Sequence, residues 1–224
     1  MKISLAKKTK MKTILISLVL LSLLTVLIKI FFIQIYSVET ESMFKTVTIK
    51  NKVLVSKITR FKKGDIILYK DRFNEELNLC RLIAEYNDNV TLTGQDVFVN
   101  DKEVIYKDQT KSYCFRFISQ IEADTLKMKY SLAKLNNSGF FQAELTQNEY
   151  DEIMKDSVSD LNLKIFPVEK CSQGIFSSEP IINEIFVKQD SVFVLNDNRS
   201  DLNDSRTIGL INRKSIVGKV VYIF

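Results

Sequence analysis

The side chains best placed to do chemistry lie in one run near the C-terminus, Val192–Gly209, which reads VFVLNDNRSDLNDSRTIG. Asp197, Arg199, Asp201, Asp204 and Arg206 put five charges into ten residues, directly behind an apolar alternating stretch. Such density has two readings. Either it is a solvated loop, or its Asp and Arg side chains brace one another in fork-like pairs beneath a site. The kinds of site are few. The chain has no histidine, which removes a Ser-His-Asp triad, a Cys-His dyad and any His-ligated metal. Cys80, Cys114 and Cys171 show no C-x-x-C spacing, so a zinc site is not expected. Neither a metal nor a cofactor is expected. In an oxidising compartment Cys114 and Cys171 are the pair that would join.

The elements that must position this run begin with a membrane segment. Thr13–Ile35, TILISLVLLSLLTVLIKIFFIQI, carries one charge, Lys29. A helix rises about 1.5 Å per residue, enough here to cross a hydrocarbon core of about 30 Å. Lys29 lies late in the span, where its stem can reach the far interface. Residues 1–12 hold Lys2, Lys7, Lys8, Lys10 and Lys12 and no acid. That basic tail belongs in the cytoplasm, which puts the body outside. A cleaved secretory signal is the alternative, but the run is long for one and no A-x-A-like site follows it. Without the five tail lysines, the net charge of +5 disappears. The folded body therefore offers no basic face to a nucleic acid.

The body reads as mostly β. Lys52–Lys57 and Asp65–Tyr69 are β-branched and apolar, with a turn at Lys62-Lys63-Gly64-Asp65 between them. Leu77–Ala84, Val90–Leu92 and Val97–Val99 continue the pattern. Asn100-Asp101 forms a hairpin tip leading to Val104-Ile105. Residues 107–180 change character and read as an inserted α+β second domain. There Thr146-Gln147-Asn148-Glu149 is a capping box, flanked by Leu145 and Tyr150 as a hydrophobic staple, and starts a helix running to about Lys155. Leu161–Val168 returns to strand. Ser191–Leu195 and Ser215–Ile223 close the chain and share a sheet system with the first third. The expected division is a tail at 1–12, an anchor at 13–35, a β domain at 36–106 with 181–224, and the insert at 107–180.

Five segments stand in a distinctive order: the anchor, Ser42-Met43 just beyond it, KVLVSK, KKGDIILYK, and the Asp/Arg run. This order resembles the type I signal peptidases, membrane-anchored serine proteases that remove signal peptides from exported proteins. The family pattern P-S-x-S-M-x-P-T reads E-T-E-S-M-F-K-T here, and G-D-x-V-L-V-x-K reads N-K-V-L-V-S-K. G-D-I-V reads G-D-I-I, and G-D-N-R-x-x-S-x-D-S-R reads N-D-N-R-S-D-L-N-D-S-R. The resemblance implies a β-sheet body on one anchor, acting on signal peptides beside lipid and the secretion machinery in the cytoplasmic membrane.

In the family a Ser hydroxyl attacks the scissile carbonyl and a neutral Lys, its pKa lowered by an apolar setting, takes the proton. Ser42 matches the nucleophile. Thr40 matches the hydroxyl that helps hold the oxyanion, a donor worth roughly 2.7–4 kcal/mol of barrier in comparable sites. Asp197, Asn198, Arg199, Asp204, Ser205 and Arg206 match the floor beneath the dyad. The base departs from the pattern. The family strand K-R-V-[IVA]-[GA] reads Cys80-Arg81-Leu82-Ile83-Ala84, so Cys80 stands where the Lys would be. Arg81 stays protonated and cannot replace it. Cys80 is either a thiolate base or an inert buried thiol; burial disfavours the thiolate. The Ser that orients the Lys amine is Leu202 here. Lys45 replaces a Pro and Glu41 a small residue beside the nucleophile. Lys45, Lys52 and Lys57 are near Ser42 in sequence, but none holds the family position.

Two functions follow: an active signal peptidase cutting small-x-small sites, or a pseudoprotease that binds peptides or assists assembly at the membrane. A third is an unrelated β-rich receptor domain on an anchor.

Overall fold

A computed structural model describes residues 2–116, 133–135, 140–160, 164–167 and 182–224. Helix α1, Lys2–Phe31, contains an apolar window, Met11–Lys29, of mean hydropathy 2.4, and none of that window is buried by the rest of the chain. The expected span overruns at its C-terminal end. Ile33–Ser37 is not helix but strand β1, paired antiparallel with β2, Lys52–Ser56, from Ile33 opposite Ser56 to Ser37 opposite Lys52. An apolar run is compatible with either state. Here β-branched Ile33 and Ile35 take the strand because a neighbour supplies hydrogen bonds across it.

The remaining strands are β3 (Ile66–Lys70), β4 (Leu77–Ala84), β5 (Asn89–Thr93), β6 (Asp96–Val99), β7 (Lys102–Glu103), β8 (Thr110–Arg116), β9 (Ala133–Leu135), β10 (Phe140–Thr146), β11 (Lys164–Pro167), β12 (Ile182–Phe186), β13 (Ser191–Leu195), β14 (Ile211–Asn212) and β15 (Ile216–Ile223). One seven-stranded sheet has the order β1-β2-β15-β3-β4-β13-β14. The last strand is thus inserted between two of the first, and both ends of the chain build one sheet. Gly218 in β15 allows this fit: a Cβ there would lie 2.3 Å from the Ser56 carbonyl oxygen. Its inner face buries Val53, Val55, Leu68 and Leu79 with Val38, Met43 and Val47.

Among the described residues two four-stranded sheets accompany it, β12-β5-β6-β7 and β11-β8-β10-β9. The hairpin tip at Asn100-Asp101 forms with φ of 51° and 65°. Its return strand is β7, however, not Val104-Ile105; only the Val104 N–H still reaches Val97 O, at 2.8 Å. Helix α2, Gln147–Asp160, starts at the capping box. Glu149 accepts from the Thr146 N–H and hydroxyl, both at 2.8 Å, and the Glu149 N–H donates to Thr146 Oγ1 at 3.3 Å. The helix continues past Lys155 to Asp160. Of the strand expected over 161–168, residues 164–167 form β11, and the others lie outside the described residues, as does Cys171.

Candidate active site

Ser42 is reached directly from β1 by way of Val38, which is buried. Met43 then anchors the loop. It is fully buried, and its carbonyl accepts from the Thr46 and Val47 N–H groups at 3.0 and 2.8 Å, a single helical turn that sets Met43 and Val47 into the same core. Met43 spaced four residues before Val47 is what fixes the serine in place. The Ser42 side chain is 3.0 Å from Thr40 Oγ1 and donates, at a long 3.4 Å, to Leu79 O on β4. Among the described residues no lysine amine hydrogen-bonds it. Lys45, held at φ 70°, forms an ion pair with Glu149 of the α2 cap instead. Burial raises the Glu149 carboxyl pKa, but the bonds from Lys45 and Thr146 outweigh this and hold it below its ordinary value. Lys52 and Lys57 are exposed.

The Asp/Arg run is no solvated loop. Asp197, Arg199 and Asp204 are each no more than 1% exposed. Asp197 receives Arg81 in a fork, with Nε at 2.7 Å from Oδ1 and Nη2 on Oδ2, and it also accepts from Thr46 Oγ1 at 2.5 Å. Arg81 donates further to Gly64 O at 2.7 Å and lies 4.5 Å from the Tyr106 ring centroid. Burial lowers the Arg81 pKa, but Asp197 outweighs it, so the guanidinium stays charged. Asp204 caps a short helix, α3, Ser205–Ile208, by accepting from the Arg206 N–H at 3.0 Å. It also takes Arg206 Nη2 at 2.7 Å and the Asn196 N–H at 2.9 Å. Arg206 reaches on to the carbonyls of Arg199 and Asp201, both at 2.7 Å. The Ser205 hydroxyl accepts from Val194 N–H at 3.0 Å. Arg199 donates through Nη2 to Gln109 Oε1 at 2.7 Å; burial and the nearby Arg206 charge push its pKa down to about 10. Asn198 stitches the run to the serine loop, its N–H donating to Ser42 O at 3.0 Å and its amide to Glu41 O at 3.3 Å.

Cys80 is 1% exposed, set among Tyr69, Leu82, Val192, Val194 and Ile211. Its thiol donates to Asn196 Oδ1 at 3.0 Å. Burial, and then the Asp204 carboxylate, push the thiol pKa well above its ordinary value, so the thiolate needed for a base is disfavoured. Leu202 is 56% exposed and contributes no polar group. Asn196 is the site residue that motif matching passes over. Its signal was present: Asn stands where the pattern G-D-N-R has Gly. Gln109, Thr46 and Thr110 join the floor with no motif to mark them. The Thr110 N–H donates to Asp197 O at 2.8 Å, and the Arg199 N–H to Thr110 O at 3.1 Å.

The family model for "Signal peptidase, peptidase S26" matches residues 11–224, nearly the whole chain. The chain belongs to the signal peptidase family. Signal peptidase I P of Bacillus subtilis subsp. natto is 27% identical over 218 residues, covering 95% of this chain and 86% of that protein. Signal peptidase I U of Bacillus subtilis strain 168 is 28% identical over 139 residues, covering 57% of this chain and 74% of its own. A signal peptidase I crystal structure from Enterococcus faecalis V583 is 17% identical, covering 73% of this chain and 99% of that one, with a TM-score of 0.36. Membership accords with the β-rich body of this signal peptidase family member.

Proposed function

We propose that this protein binds extended, signal-peptide-like segments at the membrane and does not cleave them. One observation carries the reading. Among the described residues no basic side chain is bonded to the Ser42 hydroxyl, and the position that would hold the basic amine is a buried thiol bonded to an asparagine. Removing a general base forfeits about 10²–10⁴-fold in rate. The binding half of the apparatus is intact. Among the described residues β1 is an edge strand, paired only with β2, and it leads straight to Thr40 and Ser42. An extended peptide adds to such an edge through main-chain hydrogen bonds.

Residues 36–106 with 181–224 form the binding body, 107–180 a second domain, and 13–35 the anchor region, with the basic tail in the cytoplasm and the body on the other side of the cytoplasmic membrane. Lipid is a second partner: Ile35, Leu54 and Tyr222 share register on β1, β2 and β15 beside the anchor, and Ile35 and Tyr222 are 55% and 62% exposed. The secretion machinery is the source of the bound segments. The full-length protein in phospholipid vesicles should bind a fluorescent signal peptide saturably and leave an Ala-x-Ala preprotein uncut, with Ser42→Ala binding as well as the parent. Cleavage that vanishes in Ser42→Ala overturns the reading. That outcome is the second reading, an active peptidase, and the observation favouring it is the intact Thr40–Ser42 pair at 3.0 Å.

A further inference from the structure

The loss of the base is not confined to Cys80 and Leu202. Asn196 lies at the end of β13, 1% exposed, and every polar atom of its side chain is engaged inward. Oδ1 takes the Cys80 thiol at 3.0 Å, and Nδ2 donates to the Asp201 and Asn203 carbonyls at 3.2 and 3.4 Å. Its own N–H is held by Asp204 at 2.9 Å. The carboxamide therefore sits against the γ position of residue 80, where a longer side chain would have to continue. A methylene in place of the thiol would face Oδ1 with no hydrogen bond to return to it. The place matters because three segments meet here. Asn198, two residues on, is bonded to Ser42 O, and Ser42 Oγ touches Leu79 O beside Cys80. By grasping the carbonyls on either side of Leu202, the same amide fixes the 201–203 loop, in which Leu202 is turned outward.

We infer that the Asn196 carboxamide is a plug: it fills the channel by which an amine at position 80 would reach Ser42, and it, rather than Cys80 alone, holds the site in its non-cleaving form. This deepens the proposed non-cleaving function and rests on the reading of position 80 as the vacated base. The buried Tyr69 hydroxyl lies on the other side of the same thiol, close enough for the two groups to perturb one another.

The test uses the full chain in vesicles with an Ala-x-Ala preprotein. Cys80→Lys with Leu202→Ser should stay near the background rate. Adding Asn196→Gly should raise cleavage by about a hundredfold, within the range a general base supplies, and Ser42→Ala should abolish that gain. Equal rates for the double and triple variants overturn the plug, as does a silent triple variant whose thermal melt shows it folded. Should the triple variant not fold, thiol labelling decides. In a Cys114→Ser, Cys171→Ser background, Asn196→Gly should label at Cys80 at least about tenfold faster than the parent, because exchange at a buried thiol is limited by access; unchanged labelling overturns the plug. Binding of the fluorescent signal peptide by the parent is measured alongside. Peptide binding with no gain in the triple variant removes the plug and keeps the function. A gain without parent binding does the reverse.

Discussion

Two halves of one site have been treated differently in this chain. The floor, built from Arg81, Asp197, Arg199, Asp204 and Arg206, follows the family pattern in sequence: Arg81 forks onto Asp197, Asp204 caps and pairs with Arg206, and Arg199 reaches Gln109. The base pocket, built from Cys80, Asn196 and Leu202, departs from the pattern at all three positions. The difference is physical. Arg81 with Asp197 and Arg206 with Asp204 are buried charges that answer one another, so loss of one strands its partner in a place with little water. A basic amine in the pocket answers only to the reaction. Without that demand, a thiol and a carboxamide satisfy each other at lower cost. The floor supports the fold whether or not peptide bonds are cut.

Asp197→Ala is the largest challenge to this contrast. It leaves Arg81 and Thr46 without their acceptor, and a broken buried pair costs about 3–5 kcal/mol. A steep drop in thermal midpoint is expected, and a small one would show that the floor is dispensable. Cys80→Ala comes next, since it deprives the buried Asn196 Oδ1 of its donor at a cost of about 1–3 kcal/mol, read in the same melts. Cys80→Ser retains a donor and should lose less.

The thiol also carries a pH signature. Its pKa is raised in the folded state, so it stays protonated there while the unfolded thiol ionises above about pH 8.5. Its contribution is full below that value and declines as pH rises above it. Stability measured between about pH 8.5 and 10, below the ordinary tyrosine range, should fall more steeply for the parent than for Cys80→Ser. Parallel curves would mean that the thiol is not shielded as the structure shows.

Smaller still is Glu149→Gln, which removes a partly exposed ion pair with Lys45 worth about 0.2–1 kcal/mol. The carboxyl is depressed, so that contribution is present above about pH 4.3 and lost as pH falls through its lower folded value. The midpoint difference between parent and Glu149→Gln should therefore shrink on acidification. Leu202→Ser should be the mildest change, within about 0.5 kcal/mol for an exposed position. A larger loss in the melt would place Leu202 inside the pocket after all.

The periodic parts of the fold were readable in advance. The strands at 52–57, 77–84 and 191–195 follow β-branched alternation, and the α2 start follows its capping box, because these signals are local. The sequence pattern extended the anchor to Ile35, where it runs into an edge strand, because apolar character does not say which partner a segment will find. The hairpin return was placed two residues late for a related reason: β7 is made of Lys102 and Glu103, an exposed pair with no apolar pattern.

The sequence by itself determined the family and the long apolar N-terminal segment, and it puts a cysteine where the family pattern has lysine, since these rest on residue identity and order. Only the tertiary structure decided that the charged run is a buried floor and not a solvated loop, and that Cys80 is locked to Asn196 across 116 positions of chain. Burial and long-range hydrogen bonding are properties of neighbours in space, and no local pattern of residues encodes which neighbours those will be.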